Sequence, residues 1–233
     1  VALILLWTPI VAFVRLFDRD PRHLHTARWY RRLGRVLTRV NPWQVEVTGL
    51  ELVDRSRHYV VVSNHQSLAD IPVICHMPLD TKWLAKGELF NVPVLGWMLR
   101  MAGDVPVDRS DRRSAARALL ACARYLRSGC SVVFFPEGTR SPDGSVLPFN
   151  EGPFQLAIRE GVPVLPLAIA GSRNALPRDT WMFGPKQTIR LKILPPVAVD
   201  ALTIKDSAGL RDLVRQQIGD VLPSSTCDAP SAP

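Results

Sequence analysis

The chain is poor in cysteine and has none in pairs. Cys75, Cys122, Cys130 and Cys227 form no Cys-x-x-Cys unit and no regular framework. That excludes a disulfide scaffold and reads as free thiols suited to a reducing compartment. Cys75-His76 has no companion pair, so no zinc site is expected. There is no Gly-x-Ser-x-Gly elbow, hence no evident covalent serine nucleophile. Internal repeats are absent, as are recognition-helix and RNA-binding motifs, so nucleic acid is not an expected partner. Acid is also short: 21 Asp+Glu face 29 Lys+Arg, a net charge of +8. The surplus favours an anionic partner such as a membrane surface or a phosphorylated small molecule.

A run long enough to cross a bilayer is missing too. Residues 1–14 carry no charge, but as a helix they would reach only about 21 Å, against a hydrocarbon core of roughly 30 Å. The chain opens on Val1 and not on Met, which leaves room for preceding residues. No small-residue cleavage site follows, so the run does not read as a secretory signal. A buried core helix is one reading and a membrane anchor the other. The next segment favours the anchor. Leu24, Ala27, Leu33, Val36, Leu37 and Val40 recur at helical spacing, with Arg28, Arg31, Arg32, Arg35 and Arg39 between them and Trp29 and Tyr30 alongside. A basic amphipathic helix with aromatics suits the headgroup layer. Arginines after the apolar run place the active face on the cytoplasmic side.

What is present in quantity is apolar sequence, 47% of 233 residues, enough for one full domain. Apolar runs predict strands at 45–47, 59–63, 82–85, 105–107, 131–135, 164–169 and 189–193. Pro106 makes the fourth an edge strand, because proline cannot donate to the ladder. Between the strands, helices are expected from about Pro72, over 93–101, after a Ser110 cap to a stop at Gly129, and over 154–159, with a last one marked by Leu210, Leu213, Val214, Ile218 and Val221. The expectation is a single α/β domain with a mostly parallel or mixed central sheet flanked by helices, over residues 43–222. Residues 1–42 form N-terminal membrane-binding helices before it. Residues 223–233, rich in Pro, Ser and Ala, form a disordered tail.

Four strand ends carry chemistry-bearing residues. After the first central strand comes Ser63-Asn64-His65-Gln66-Ser67-Leu68-Ala69-Asp70. His65 and Asp70 are five apart, which on a helix would turn them about 140° away from each other. A loop that folds back can instead join them, with the carboxylate fixing the imidazole tautomer and leaving the other nitrogen to take a proton from a hydroxyl. Asp70 can equally be a helix N-cap and His65 a strand-end histidine bonded to a carbonyl. Lys86 and Arg109 follow two further strands. Pro136-Glu137-Gly138-Thr139-Arg140-Ser141 follows another, and its backbone N–H groups, hydroxyl and guanidinium could cradle a phosphate or simply form a surface turn. Strand ends are where open α/β sheets place ligands.

This order of motifs resembles the glycerolipid acyltransferase family. Asn64-His65, four residues, then Asp70 is similar to its first motif, and Phe135-Pro136-Glu137-Gly138-Thr139-Arg140-Ser141 to its third. Val107-Asp108-Arg109 resembles the end of the second and Val162-Pro163-Val164-Leu165-Pro166 the fourth, so the likeness covers about residues 43–195. Three features depart from the pattern: Asp104, Pro106, and Asn150-Glu151-Gly152 where many members carry lysine before glycine.

The resemblance implies that His65 is a general base oriented by Asp70. It implies direct transfer of an acyl group from acyl-CoA or acyl carrier protein to a lysophospholipid hydroxyl, most simply 1-acyl-sn-glycerol-3-phosphate. Arg109, Glu137, Gly138, Thr139 and Arg140 would bind the acceptor, with Lys86 assisting. No metal or cofactor beyond the thioester co-substrate is implied, and membrane lipids are expected partners. The rivals are an ester hydrolase in which His65 activates water or Ser67, and a lipid-binding protein without catalysis.

Overall fold

The chain is described by a computed structural model covering residues 2–177, 184 and 186–222. The proposed tail and Cys227 lie outside the described residues. Seven strands form one mixed sheet: β1 (Trp43–Thr48), β2 (Val60–Ser63), β3 (Thr81–Lys86), β4 (Val105–Val107), β5 (Ser131–Phe134), β6 (Val164–Ala170) and β7 (Gln187–Ile193), in the order β1-β7-β6-β2-β5-β3-β4. The five strands from β6 to β4 run parallel. β7 turns back antiparallel to β6, and β1 pairs parallel with β7. β4 is an edge, and Pro106 points its missing N–H at no ladder partner.

Period-two alternation sorts the core into two layers. Val60, Val62, Val132 and Phe134 face one side. There they meet α5 (Arg112–Arg127), α6 (Gly152–Glu160) and α8 (Ser207–Val221) through Leu126, Phe154 and Val214. Val61, Val133, Leu165, Leu167 and Ile169 face the other side, against α3 (Asp70–Ile74). On β7, Ile189, Leu191 and Ile193 are buried while Arg190 and Lys192 are exposed, as the alternation predicts.

One local expectation is corrected. The cap of α5 is Asp111, whose carboxylate accepts from Arg113 N at 2.8 Å; Ser110 instead donates its hydroxyl to Asp108. Part of the basic face of α2 (Leu24–Val40) is used inside the protein, while Arg32 and Arg39 stay exposed. Arg31 is buried against Asp104, Arg28 grips Asp80 with two bonds of 2.7 and 2.6 Å, and Arg35 donates to the Cys75 carbonyl. A buried guanidinium needs a buried carboxylate, and Asp104, a departure in the second motif, supplies it. Asp104 also accepts from Trp83 N at 3.0 Å, so α2 is tied directly to β3.

α1 (Ala2–Phe17) lies over α2 and α4 (Leu95–Ala102), with Val11, Leu33 and Met98 buried between them. Its other face is bare: Leu5, Leu6, Ile10, Phe13, Leu16 and Phe17 are all exposed. No helix among the described residues is long and apolar enough to cross a membrane.

Lys82 is a charged side chain sealed in the core. It is wholly buried, donates to the Ala102 carbonyl at 2.5 Å and lies 5.3 Å from the Tyr125 ring centre. Burial pulls its pKa from 10.5 down to about 8. The folded state therefore resists protonation. The cost is complete below pH 8 and is relieved as pH rises from about 8 to 10.5. Lys82→Met is expected to be most stabilising relative to wild type at pH 7, with the gap closing by up to about 3 kcal/mol by pH 10.5. Thermal unfolding of both proteins across pH checks it; a pH-independent gap would contradict a charged, desolvated lysine.

Candidate active site

β2 is buried throughout and ends at Ser63, where the chain must leave the sheet without stranding its polar groups. Asn64 solves this. Its side-chain amide donates to Ile169 O at 2.9 Å and accepts from Ile169 N at 2.8 Å, continuing the β2–β6 ladder one step beyond the strand. The backbone is thereby freed to turn. Ser67 fixes the far side of the turn: its hydroxyl donates to Leu176 O at 2.6 Å and accepts from Ala69 N at 3.1 Å. Both residues are fully buried. Sequence reasoning noted Asn64 only as part of a motif; a polar side chain at the end of an apolar strand was the available signal.

Within this turn the His65 and Asp70 side chains meet, Nδ1 to Oδ2, at 2.7 Å. Asp70 opens α3 but does not cap it. The same Oδ2 accepts from the backbone N–H of Gln66 at 2.8 Å and of Ser67 at 2.9 Å, folding the loop around the carboxylate. The imidazole and two backbone N–H groups thus converge on one buried oxygen, and Nε2 is the ring nitrogen turned away from Asp70. The imidazole stacks on Phe135, with ring centres 4.0 Å apart and planes 19° from parallel. Asp70 is sealed, while the His65 side chain keeps 11% exposure, enough to be reached.

The loop that follows β5 grips the His65 peptide from both sides. His65 N donates to Glu137 Oε1 at 3.0 Å, Ser141 N donates to His65 O at 2.8 Å, and Gln66 Nε2 donates to Gly144 O at 3.0 Å. Glu137, expected to bind the acceptor, is buried and holds the His65 peptide. Burial raises its pKa from 4.5 to about 8, against the lowering pull of the His65 and Leu147 N–H groups and with help from the nearby Asp70 charge. At neutral pH Glu137 therefore holds a proton, which keeps two buried carboxylates from repelling each other. Gly138 sits at φ +73, a region that suits glycine, and Asn150 braces the turn by donating its side-chain N–H to Pro136 O at 2.7 Å.

A cavity of about 300 Å³ opens beside the stacked rings, with walls from Arg109, Phe135, Gly138, Leu119 and Asn150. Desolvation there lowers the pKa of Arg109. The structure thus brings His65, Asp70, Arg109 and Gly138 to one sheet edge. Thr139 is exposed and Arg140 half-buried on the same turn. Lys86 is exposed, paired with Glu88 at 2.6 Å, and forms no part of the cavity wall. Glu151, the acidic departure before the glycine, is paired with Arg211 of α8 at 3.1 Å.

Because Glu137 binds its proton more tightly folded than unfolded, its contribution to stability is complete below about pH 4.5 and is lost as pH climbs toward 8. Glu137→Gln keeps a carbonyl for His65 N–H and cannot ionise. It should match wild type in melting temperature at pH 4.5 and exceed it at pH 9. A deficit of equal size at every pH would contradict a neutral buried carboxyl.

The chain is similar to several known proteins. Residues 44–170 match a family model described as Acyltransferase. Over 186 residues, 79% of this chain, the sequence is 38% identical to a 1-acyl-sn-glycerol-3-phosphate acyltransferase, BAT2, from Brassica napus, and covers 54% of it. It is 34% identical over 177 residues to the human 1-acyl-sn-glycerol-3-phosphate acyltransferase alpha, covering 75% of this chain and 62% of that one. The chain spans about half the length of the plant relatives it matches. The crystal structure of the 1-acyl-sn-glycerophosphate acyltransferase PlsC from Thermotoga maritima superposes with a TM-score of 0.77 at 32% identity, over 91% of this chain and 85% of that chain.

Proposed function

The chain belongs to the acyltransferase family, and from that membership we propose that it transfers a fatty acyl group from an acyl thioester, on coenzyme A or acyl carrier protein, to the free hydroxyl of 1-acyl-sn-glycerol-3-phosphate, giving phosphatidic acid. The observation that carries this reading is the 2.7 Å His65–Asp70 bond beside a cavity that also holds an arginine.

His65 Nε2 takes the hydroxyl proton as the oxygen attacks the thioester carbonyl. Asp70 stabilises the imidazolium that forms. Collapse of the tetrahedral intermediate breaks the C–S bond, and the imidazolium returns its proton to the departing thiolate. Because a thioester is already activated, a positioned base suffices, contributing on the order of 10²–10⁴-fold. Arg109 and Arg140 bind the acceptor phosphate, and the Gly138-Thr139 turn its glycerol. Glu137 acts beneath the site by holding the His65 peptide. No cofactor other than the thioester co-substrate takes part. The hydrolase reading loses its serine form, because the Ser67 hydroxyl is buried and committed to Leu176.

Substrate and product are bilayer lipids, and the bare face of α1 suits them. Over Ala2–Phe17 this helix turns Leu6, Phe13 and Phe17 outward, side chains suited to the acyl-chain region of a bilayer. The arginines that follow the apolar run support an active site on the cytoplasmic face.

His65→Ala should lower kcat by about 10²–10⁴-fold without shifting the melting temperature, measured with a labelled acyl thioester and a panel of lysophospholipids. Retained activity would overturn the mechanism, and free fatty acid as the sole product would favour hydrolysis. Arg140→Ala should raise KM for the phosphate-bearing acceptor about tenfold or more and leave KM for the thioester nearly unchanged. Equal rises in both would remove Arg140 from the acceptor site.

A further inference from the structure

The outward face of α5 is an arginine stripe that the fold does not explain. Arg113, Arg117, Leu120, Arg124 and Arg127 fall at i, i+4, i+7, i+11 and i+14, one continuous row about 21 Å long. All five are exposed, Leu120 at 66%, and Arg112 is exposed beside the first of them. Two acids touch the row: Asp111 lies 3.5 Å from Arg117, and Glu160 grips Arg127 through two bonds of 2.7 Å. Arg112, Arg113 and Arg124 make no ion pair among the described residues.

For the helix itself this arrangement is unfavourable. The first turn of α5 contains no acid, and Arg112 and Arg113 sit where the dipole disfavours cations. Arg113 and Arg117 are like charges one turn apart. The opposite flank of the same helix contributes Ala115 and Leu119 to the cavity that holds Arg109 and Phe135. Cations that weaken their own helix beside an acyl-transfer cavity point to a counter-charge supplied from outside the chain.

We propose that this face of α5 docks a small acidic acyl carrier protein, which delivers its thioester around the first turn of the helix into the cavity. The proposal rests on the acyl-transfer reading above. A carrier protein fits better than a nucleotide head. Coenzyme A gathers its phosphates at a compact end and presents an adenine to be stacked, whereas the row is long and carries no exposed aromatic ring. A line of arginines interrupted by one bare leucine complements an acidic amphipathic helix bearing an apolar residue.

The test uses the full chain and Arg113→Glu/Arg124→Glu, two positions away from the cavity wall. Glutamate is a good helix former, and at the first turn it suits the dipole. Palmitoyl-acyl carrier protein and palmitoyl-coenzyme A are compared as donors. With the carrier protein, kcat/KM should fall about tenfold or more, mainly through KM. With coenzyme A it should change by less than about twofold. In the wild type, added salt should raise KM for the carrier protein more steeply than for coenzyme A.

Equal losses with both donors would overturn the proposal, and so would no loss with the carrier protein. Loss of binding to anionic vesicles with both donors used normally would assign the face to the bilayer instead. Should the wild type transfer acyl groups from neither donor, the acyl-transfer reading fails. Titration of palmitoyl-acyl carrier protein against wild type and variant then decides the docking surface by itself, because tighter binding to wild type supports it and equal binding refutes it.

Discussion

One hydrogen bond sets the demands on the rest of the structure: His65 Nδ1 to Asp70 Oδ2. The two residues are too far apart in sequence to share a helical face, so the chain between them must form a compact loop with its polar groups satisfied from elsewhere. Asn64 borrows the backbone of β6, Ser67 borrows Leu176, and Glu137 and Ser141 clasp the His65 peptide from the neighbouring strand end. His65 is held through its ring nitrogen, its ring face and its backbone, by Asp70 within the loop and by Phe135, Glu137 and Ser141 from the end of the neighbouring strand. Such over-determination keeps the ring in one orientation, as the proposed role of general base requires.

Burial gives these contacts their character. Asp70 takes its hydrogen bonds on one oxygen and is sealed from water. Glu137, close by, has its pKa raised to about 8 by burial, with help from the Asp70 charge. Burial governs the far end of the sheet as well. There Arg31 meets Asp104 in a buried pair that locks α2 to the domain, and Lys82 keeps its ammonium near the point of deprotonation.

The N-terminal helices divide their labour differently from what amphipathicity suggests. α2 has the stronger alternation of apolar and basic residues, yet it packs its apolar face against α1 and pairs Arg28 and Arg31 with the domain, leaving Arg32 and Arg39 exposed. α1, nearly uniform in composition, is the helix left with leucines and phenylalanines in the open. A helix that is apolar all round can cover a neighbour on one side and still present an oily surface on the other.

The strand pattern, the parallel core of the sheet, the edge position of β4 and the chemistry at His65, Asp70, Arg109 and the Pro136-Glu137-Gly138 turn were legible in the order of residues, because period-two burial and strand-end polarity are local signals. The partners were not. Nothing near Glu137 in the chain says that it will be buried beneath a histidine 72 residues earlier, nothing near Arg31 says that it faces Asp104, and no local rule separates Asp70 as a cap from Asp70 as a holder of the ring. A charged side chain is read as solvated until folding supplies its counter-group, and that counter-group comes from whichever strand the topology places next to it. Sequence alone determined which residues could do chemistry at this sheet edge. The tertiary structure decided which of them face the cavity, which carry charge and which serve only to hold the others in place.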